Sequence, residues 1–208
     1  GIGVPQANPT VEQEMWALRP AGVSLVTARL CSTAPDTRGR LDEYLRHLGA
    51  SLQQYDDLAL DAFGFACTGS TYLFGQEAER RHVGGLEDAL GYPIITAAAA
   101  IEETLHELGA RRIAMIAPYP EWLGELGIAY WTSRGFEVVA HAQATLAGPD
   151  TRNIYRLRSA DALEVLDGME LVNAGATGVD VVLFSGTGMP SLRAVSGAGD
   201  RGLQAISS

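Results

Sequence analysis

The sequence contains no lysine and only two cysteines, Cys31 and Cys67, among its 208 residues. Without lysine there is no phosphate-loop motif, and no dinucleotide fingerprint of spaced glycines is present either. The two cysteines fit no metal-ligand spacing, and the four histidines, His47, His82, His106 and His141, share no catalytic or metal spacing. No metal and no cofactor is expected. Nothing suggests a disulfide, so a reducing cytoplasm is the default compartment. The chain also lacks a charged-then-apolar leader and any run of about 18 apolar residues, which argues against secretion and membrane insertion. Basic residues form no cluster, and a net charge of −10 with a pI near 4.8 repels nucleic-acid phosphates and anionic lipid. An anionic ligand would have to be held by local donors against that field.

What is present is ordinary for a globular α/β protein: 47% hydrophobic and 19% charged residues, enough for one large or two small domains with a proper core. Strand and helix patterns alternate, which predicts parallel sheets with sites at the carboxyl ends of strands. Residues 1–4 read as the clipped end of a first strand, and Asn8 or Thr10 caps the helix that follows. Residues 23–28 alternate as a second strand. Leu41, Tyr44, Leu45, Leu48 and Leu52 share one face of a helix over about 38–54, core-facing and uninformative about function. A further helix is expected over 159–174, burying Leu163, Leu166 and Val172. Gly91-Tyr92-Pro93 is a breaker that divides the chain into halves at 1–92 and 93–202. The last residues, 203–208, read as a strand without its helix that completes the first half. Both ends of the chain read as lacking residues.

The chain is organised around Phe65-Ala66-Cys67-Thr68-Gly69-Ser70-Thr71-Tyr72, where an apolar strand runs into small hydroxyl and glycine residues before a helix. Such a strand-to-helix turn presents Cys67 beside free backbone N–H groups. The same shape returns roughly half a chain later as Phe184-Ser185-Gly186-Thr187-Gly188, after the strand-like 179–183. Two similar halves with facing turns are expected. The turn N–H groups, with Thr68, Ser70, Thr71, Thr187 and Ser191, form a pair of anion cradles, although plain turn chemistry suits the same residues. A cysteine at a helix start is a nucleophile or proton donor, or else a buried apolar residue. Tyr119, held between Pro118 and Pro120, bonds a carboxylate or fills the interface between halves.

These residues resemble the aspartate/glutamate racemase superfamily, and within it the maleate cis–trans isomerases and arylmalonate decarboxylases. The carriers, spread over nearly the whole chain, are Pro5 with residues 8–12, the turn at 66–70, Gly91-Tyr92-Pro93, Pro118-Tyr119, Asn153 and residues 185–192. The resemblance implies two pseudo-symmetric, Rossmann-like three-layer halves, each with a mostly parallel sheet, and a cofactor-free site in the cleft between them. It implies Cys67 as the first-half catalytic cysteine. Tyr119 and Asn8 become carboxylate contacts, and Asn153 a further ligand. Gly69, Ser70, Gly186 and Gly188 complete the substrate-binding turns with Thr68 and Thr187, and a homo-oligomer is compatible.

The sequence departs from the family at Gly186, where the second-half cysteine is expected. Racemisation with a proton donor on each face of a planar carbanion is disfavoured, since glycine offers no proton. Two enzymatic readings follow for a small dicarboxylate substrate. In one, Cys67 thiolate adds to a maleate-like double bond and leaves after rotation. In the other, a malonate-type diacid loses carbon dioxide and the Cys67 thiol protonates the enediolate. A third reading is a non-catalytic carboxylate-binding member.

Overall fold

The computed structural model describes residues 1–144, 146, 148, 150–171 and 178–208. Two four-stranded, wholly parallel sheets have the same strand order. The first runs β2 (Thr27–Leu30), β1 (Ile2–Pro5), β3 (Phe63–Phe65), β4 (Ile94–Thr96). The second runs β6 (Glu137–Gln143), β5 (Arg112–Ala117), β7 (Val181–Phe184), β8 (Ala205–Ser207). Parallel neighbours need crossovers, supplied by helices α1 (Thr10–Leu18), α2 (Thr37–Arg46), α3 (Leu48–Leu52), α4 (Thr68–Phe74) and α5 (Gln76–Leu90) in the first sheet. After α6 (Ala97–Glu107), the second sheet uses α7 (Glu121–Ser133), α8 (Ser159–Asp167) and α9 (Leu192–Asp200). This is the doubly built α/β fold that the repeated turn predicts. Among the described residues no helix is long and apolar enough to cross a membrane.

Two expected boundaries are corrected. Ile94–Thr96 pairs in parallel with Phe63–Phe65, so the first sheet extends past Gly91-Tyr92-Pro93 and the passage between sheets falls at α6. The breaker ends α5, with Gly91 at φ +77 capping it, and returns the chain to its own sheet as a βαβ unit. By the same logic α9 returns the chain beside β7, so residues 205–207 complete the second sheet and not the first. The second strand also begins later than its alternation suggests. Val23 and Val26 are exposed, a turn at Gly22 (φ +85) precedes them, and parallel pairing with β1 starts at Thr27. The expected helix over 38–54 splits at His47 into α2 and α3. The helix from Ser159 ends at Asp167, and Val172 lies outside the described residues.

One continuous core joins the halves, with Trp131, Phe63, Phe65 and Phe184 fully buried. β7 is buried at all four positions and β5 at all but Arg112, the continuous apolar pattern of a sheet covered on both faces. Between the sheets α4 packs against α2 and α7. Gly69 permits this approach: a Cβ there would stand 3.2 Å from Leu41 Cδ2 and 3.5 Å from Leu123 Cδ2. The carboxyl ends of β3 and β7 therefore meet across the interface.

Candidate active site

Cys67 is the second residue past β3 and the N-cap of α4, with φ −150 and ψ 87. Its Sγ lies 3.2 Å from Ser70 Oγ, and the side chain is 5% exposed. Burial pushes the thiol pKa up. The Ser70 hydroxyl and the N–H groups of Ser70 and Gly69 pull in the opposite direction without overcoming it. The resting sulfur at neutral pH is thus the thiol, with donors in place for the thiolate. Ser70 supports the sulfur from behind.

The second turn faces the first directly. Thr187 Oγ1 donates to the Ala66 carbonyl at 2.9 Å and accepts from Asn8 Nδ2 at 3.5 Å, and Thr10 Oγ1 donates to the Gly188 carbonyl at 2.9 Å. Asn8 caps α1 as expected, its Oδ1 accepting from the N–H groups of Thr10 and Val11, and it also lines the cavity between the turns. Gly186 has φ +127, and its N–H donates to Ser208 Oγ.

Tyr119 enters from the end of β5. Its hydroxyl lies 2.5 Å from Thr68 Oγ1 and is buried, which raises its pKa well above the ordinary phenol value. Behind it, Trp131 Nε1 donates to Tyr72 Oη at 2.8 Å, and Tyr72 Oη lies 2.8 Å from Ser185 Oγ. The rings of Tyr72 and Tyr119 meet edge to face. These partners fix Tyr119 in the interface between the halves, with its hydroxyl against Thr68.

The residues enclose a cavity of about 40 Å³ whose wall includes Asn8, Cys67, Thr68, Gly69, Tyr119 and the 186–188 turn. Set against known sequences, the model of the arylmalonate decarboxylase family matches residues 1–208. The chain belongs to the arylmalonate decarboxylase family. A maleate isomerase of Pseudomonas putida is 32% identical over 93% of this chain and 79% of its own. Among solved structures, a Nocardia farcinica maleate cis-trans isomerase mutant with a covalently bound succinylcysteine intermediate has a TM-score of 0.83 at 23% identity, covering 100% of this chain and 86% of that one. Unliganded arylmalonate decarboxylase has a TM-score of 0.77 at 17% identity, covering 100% and 85%. These two likenesses are of fold, and they agree with the resemblance carried by the motifs.

The family match does not by itself assign the rest of the wall. α2, which reads in sequence as a core helix, contributes Arg40, Leu41 and Tyr44. The 3₁₀ turn Thr151–Arg156 contributes Thr151, Arg152, Ile154 and Tyr155. Burial pushes the Tyr44 phenol up to about 12, with the charge at Cys67 adding and that at Arg40 subtracting. The signal in the sequence was an arginine one position before Leu41 and four before Tyr44, on a helix face otherwise apolar. Asn153 does not line the cavity. With about three residues per turn, its neighbours point inward while its side chain lies beside Gly148. Thr71 and Ser191 also turn away from the cleft. Thr71 donates to Glu79, and Ser191 bonds Glu14 and lies beside Ser207.

Proposed function

We propose that the chain is an isomerase of a small cis-dicarboxylate, using Cys67 as nucleophile. The observation that carries this reading is the Cys67 thiol set in the wall of a cavity closed by both turns. The sulfur, as thiolate, bonds to one olefinic carbon, and the double-bond pair moves onto the other carbon and its carboxylate as an enediolate. Asn8 and the Thr68–Tyr119 hydroxyl pair supply amide and hydroxyl donors for that charge, while the Thr187 hydroxyl, donating to the Ala66 carbonyl, holds the two turns together. The former double bond rotates as a single bond. The pair then returns, the sulfur–carbon bond breaks, and the trans diacid departs with no net gain or loss of protons. The relative named maleate isomerase at 32% identity supports this, as does the succinylcysteine in the Nocardia enzyme. The net charge of −10 supports a small substrate over nucleic acid or an anionic membrane, and the free thiols of Cys31 and Cys67 support a reducing, cytoplasmic setting.

A second reading draws support from the raised Cys67 pKa: a thiol protonated at neutral pH is suited to protonate the enediolate left by decarboxylation. Incubation with maleate, followed by proton NMR, is expected to show the cis vinyl signal replaced by that of fumarate. Carbon dioxide released from phenylmalonate, with maleate untouched, would select the decarboxylase. Neither product would sink both.

Tyr119→Phe removes one donor to the enediolate and leaves the Thr68 hydroxyl without its partner. Turnover of maleate is expected to fall about a hundredfold. The midpoint of thermal unfolding should fall by about 2–8 °C, corresponding to about 1–2 kcal/mol. Tyr72→Phe disrupts the bonds behind it without touching the cavity, so it should lower the midpoint comparably while leaving most of the turnover. Equal turnover losses in the two variants would remove Tyr119 from the site.

A further inference from the structure

Arg40 plays no part in the chemistry so far described, yet it stands in the cavity wall and is only 4% exposed. Its Nη1 donates to the Pro35 carbonyl at 3.0 Å, and its Nη2 to Thr37 Oγ1 at 3.1 Å and Asp150 Oδ1 at 2.7 Å. A guanidinium this far from water needs a carboxylate partner, and Asp150 supplies it. Asp150 immediately precedes the 3₁₀ turn that forms one side of the cavity, and Arg152 grips it as well, with Nη2 at 2.6 Å from Oδ2.

Beyond the ion pair lies an open groove of about 520 Å³ lined by Asp36, Thr37, Arg38, Trp122 and Asp150. Arg40 faces the inner cavity and Asp150 the outer groove, so their ion pair lies between the two spaces. The inner cavity, at about 40 Å³, has room for about three water molecules. A four-carbon diacid has eight non-hydrogen atoms. Its binding therefore draws on the cavity's open mouth, beside this partition.

We propose that Arg40 is the specificity-determining anchor for the non-reacting carboxylate of the substrate, and that Asp150 occupies its guanidinium until a diacid displaces it. The inference rests on the reading of the site as one for a small dicarboxylate. Exchanging one carboxylate for another keeps the buried cation paired, so the step avoids exposing an uncompensated charge to the interior. Displacement also frees the 3₁₀ turn that follows Asp150 in the cavity wall. A monocarboxylate held near Cys67 has no second group to offer and leaves Asp150 where it is. An anchored carboxylate is likewise stabilised against loss of carbon dioxide, which favours departure from an apolar slot. Arg40 therefore selects diacids and disfavours decarboxylation at the same locus.

Calorimetric binding of the unreactive pair succinate and butyrate tests the anchor without requiring turnover. The unmodified protein is expected to prefer succinate by about tenfold or more. Arg40→Gln should reduce that preference to within about twofold, chiefly by weakening succinate, because the neutral amide cannot replace the charged fork. Asp150→Asn removes the internal competitor and should tighten succinate about threefold or more. The double variant Arg40→Gln/Asp150→Asn leaves no unpaired buried charge, so its loss of preference separates recognition from misfolding. A preference for succinate that survives Arg40→Gln, or is missing in the unmodified protein, overturns the proposal, as does weaker succinate binding in Asp150→Asn. Failure of the isomerase reading is distinguishable: maleate would go unconverted while the succinate preference and its dependence on Arg40 remained.

Discussion

Cys67→Ser is expected to lower maleate turnover by at least about a thousandfold, whereas Cys31→Ser leaves it within about twofold. The asymmetry follows from placement. Cys31 is exposed just past β2, and Cys67 stands in the cavity wall. A serine hydroxyl ionises far less readily than a thiol and needs a general base, but among the described residues the cavity wall includes no imidazole and no carboxylate. Retention of more than a tenth of the turnover in Cys67→Ser would remove the sulfur from the mechanism.

The pH profile separates the two chemistries through the sign of its slope. Burial places the Cys67 pKa above the ordinary thiol value, so below that pKa each unit of pH raises the thiolate fraction about tenfold. Nucleophilic addition therefore predicts kcat/KM climbing through neutral pH into the alkaline range. A proton donor predicts a plateau at neutral pH and a fall once the thiol ionises. The same shift acts on the fold. Because the folded-state pKa is raised, stability is complete below the unfolded thiol pKa and is lost as pH rises through the folded value. Tyr44, pushed up to about 12, and the buried phenols of Tyr72 and Tyr119 act in the same direction. Alkaline turnover must be read within the range where unfolding has not begun.

The two facing turns were readable from sequence because each is a local event, an apolar strand meeting small hydroxyl residues, and because the event occurs twice. The exchange of partners between sheets was not. Gly91-Tyr92-Pro93 has the same local chemistry whether it separates halves or merely turns α5 back to β4, and only the parallel pairing of Phe63–Phe65 with Ile94–Thr96 decides between them. Arg40 was hidden for a different reason. An arginine on a helix is ordinarily solvated, and what buries this one is Asp150, more than a hundred residues away along the chain. Asn8 shows the intermediate case: its capping bonds are local and were foreseeable, while its reach to Thr187 depends on the halves closing. Residues 23–28 had the alternation of a strand but too little burial to become one throughout.

Placing a second sulfur on the facing turn by Gly186→Cys is expected to damage the protein and leave turnover lower. At φ +127 the backbone occupies a region that side-chain-bearing residues rarely adopt, and a Cβ would stand 2.8 Å from Pro118 Cδ and 3.0 Å from Pro118 Cγ. Both contacts are with a ring that cannot swing aside, next to the tyrosine whose hydroxyl meets Thr68. Backbone strain alone is worth about 1–3 kcal/mol, and overpacking adds a similar amount. In a chain of this length that lowers the unfolding midpoint by about 4–24 °C. Gly186→Ala should lose nearly as much, since the penalty lies in the Cβ and not in the sulfur. Pro118→Ala with Gly186→Cys relieves the contact but keeps the strained φ, so it should recover part of the stability. A Gly186→Cys protein as stable as the original would mean that the turn relaxes to an ordinary φ. If it also turned over faster, the second turn would still be built to carry a thiol. The strained backbone and the proline beside it argue the reverse: the turn has settled around the absence of a side chain, as the proposal of Cys67 as sole nucleophile requires.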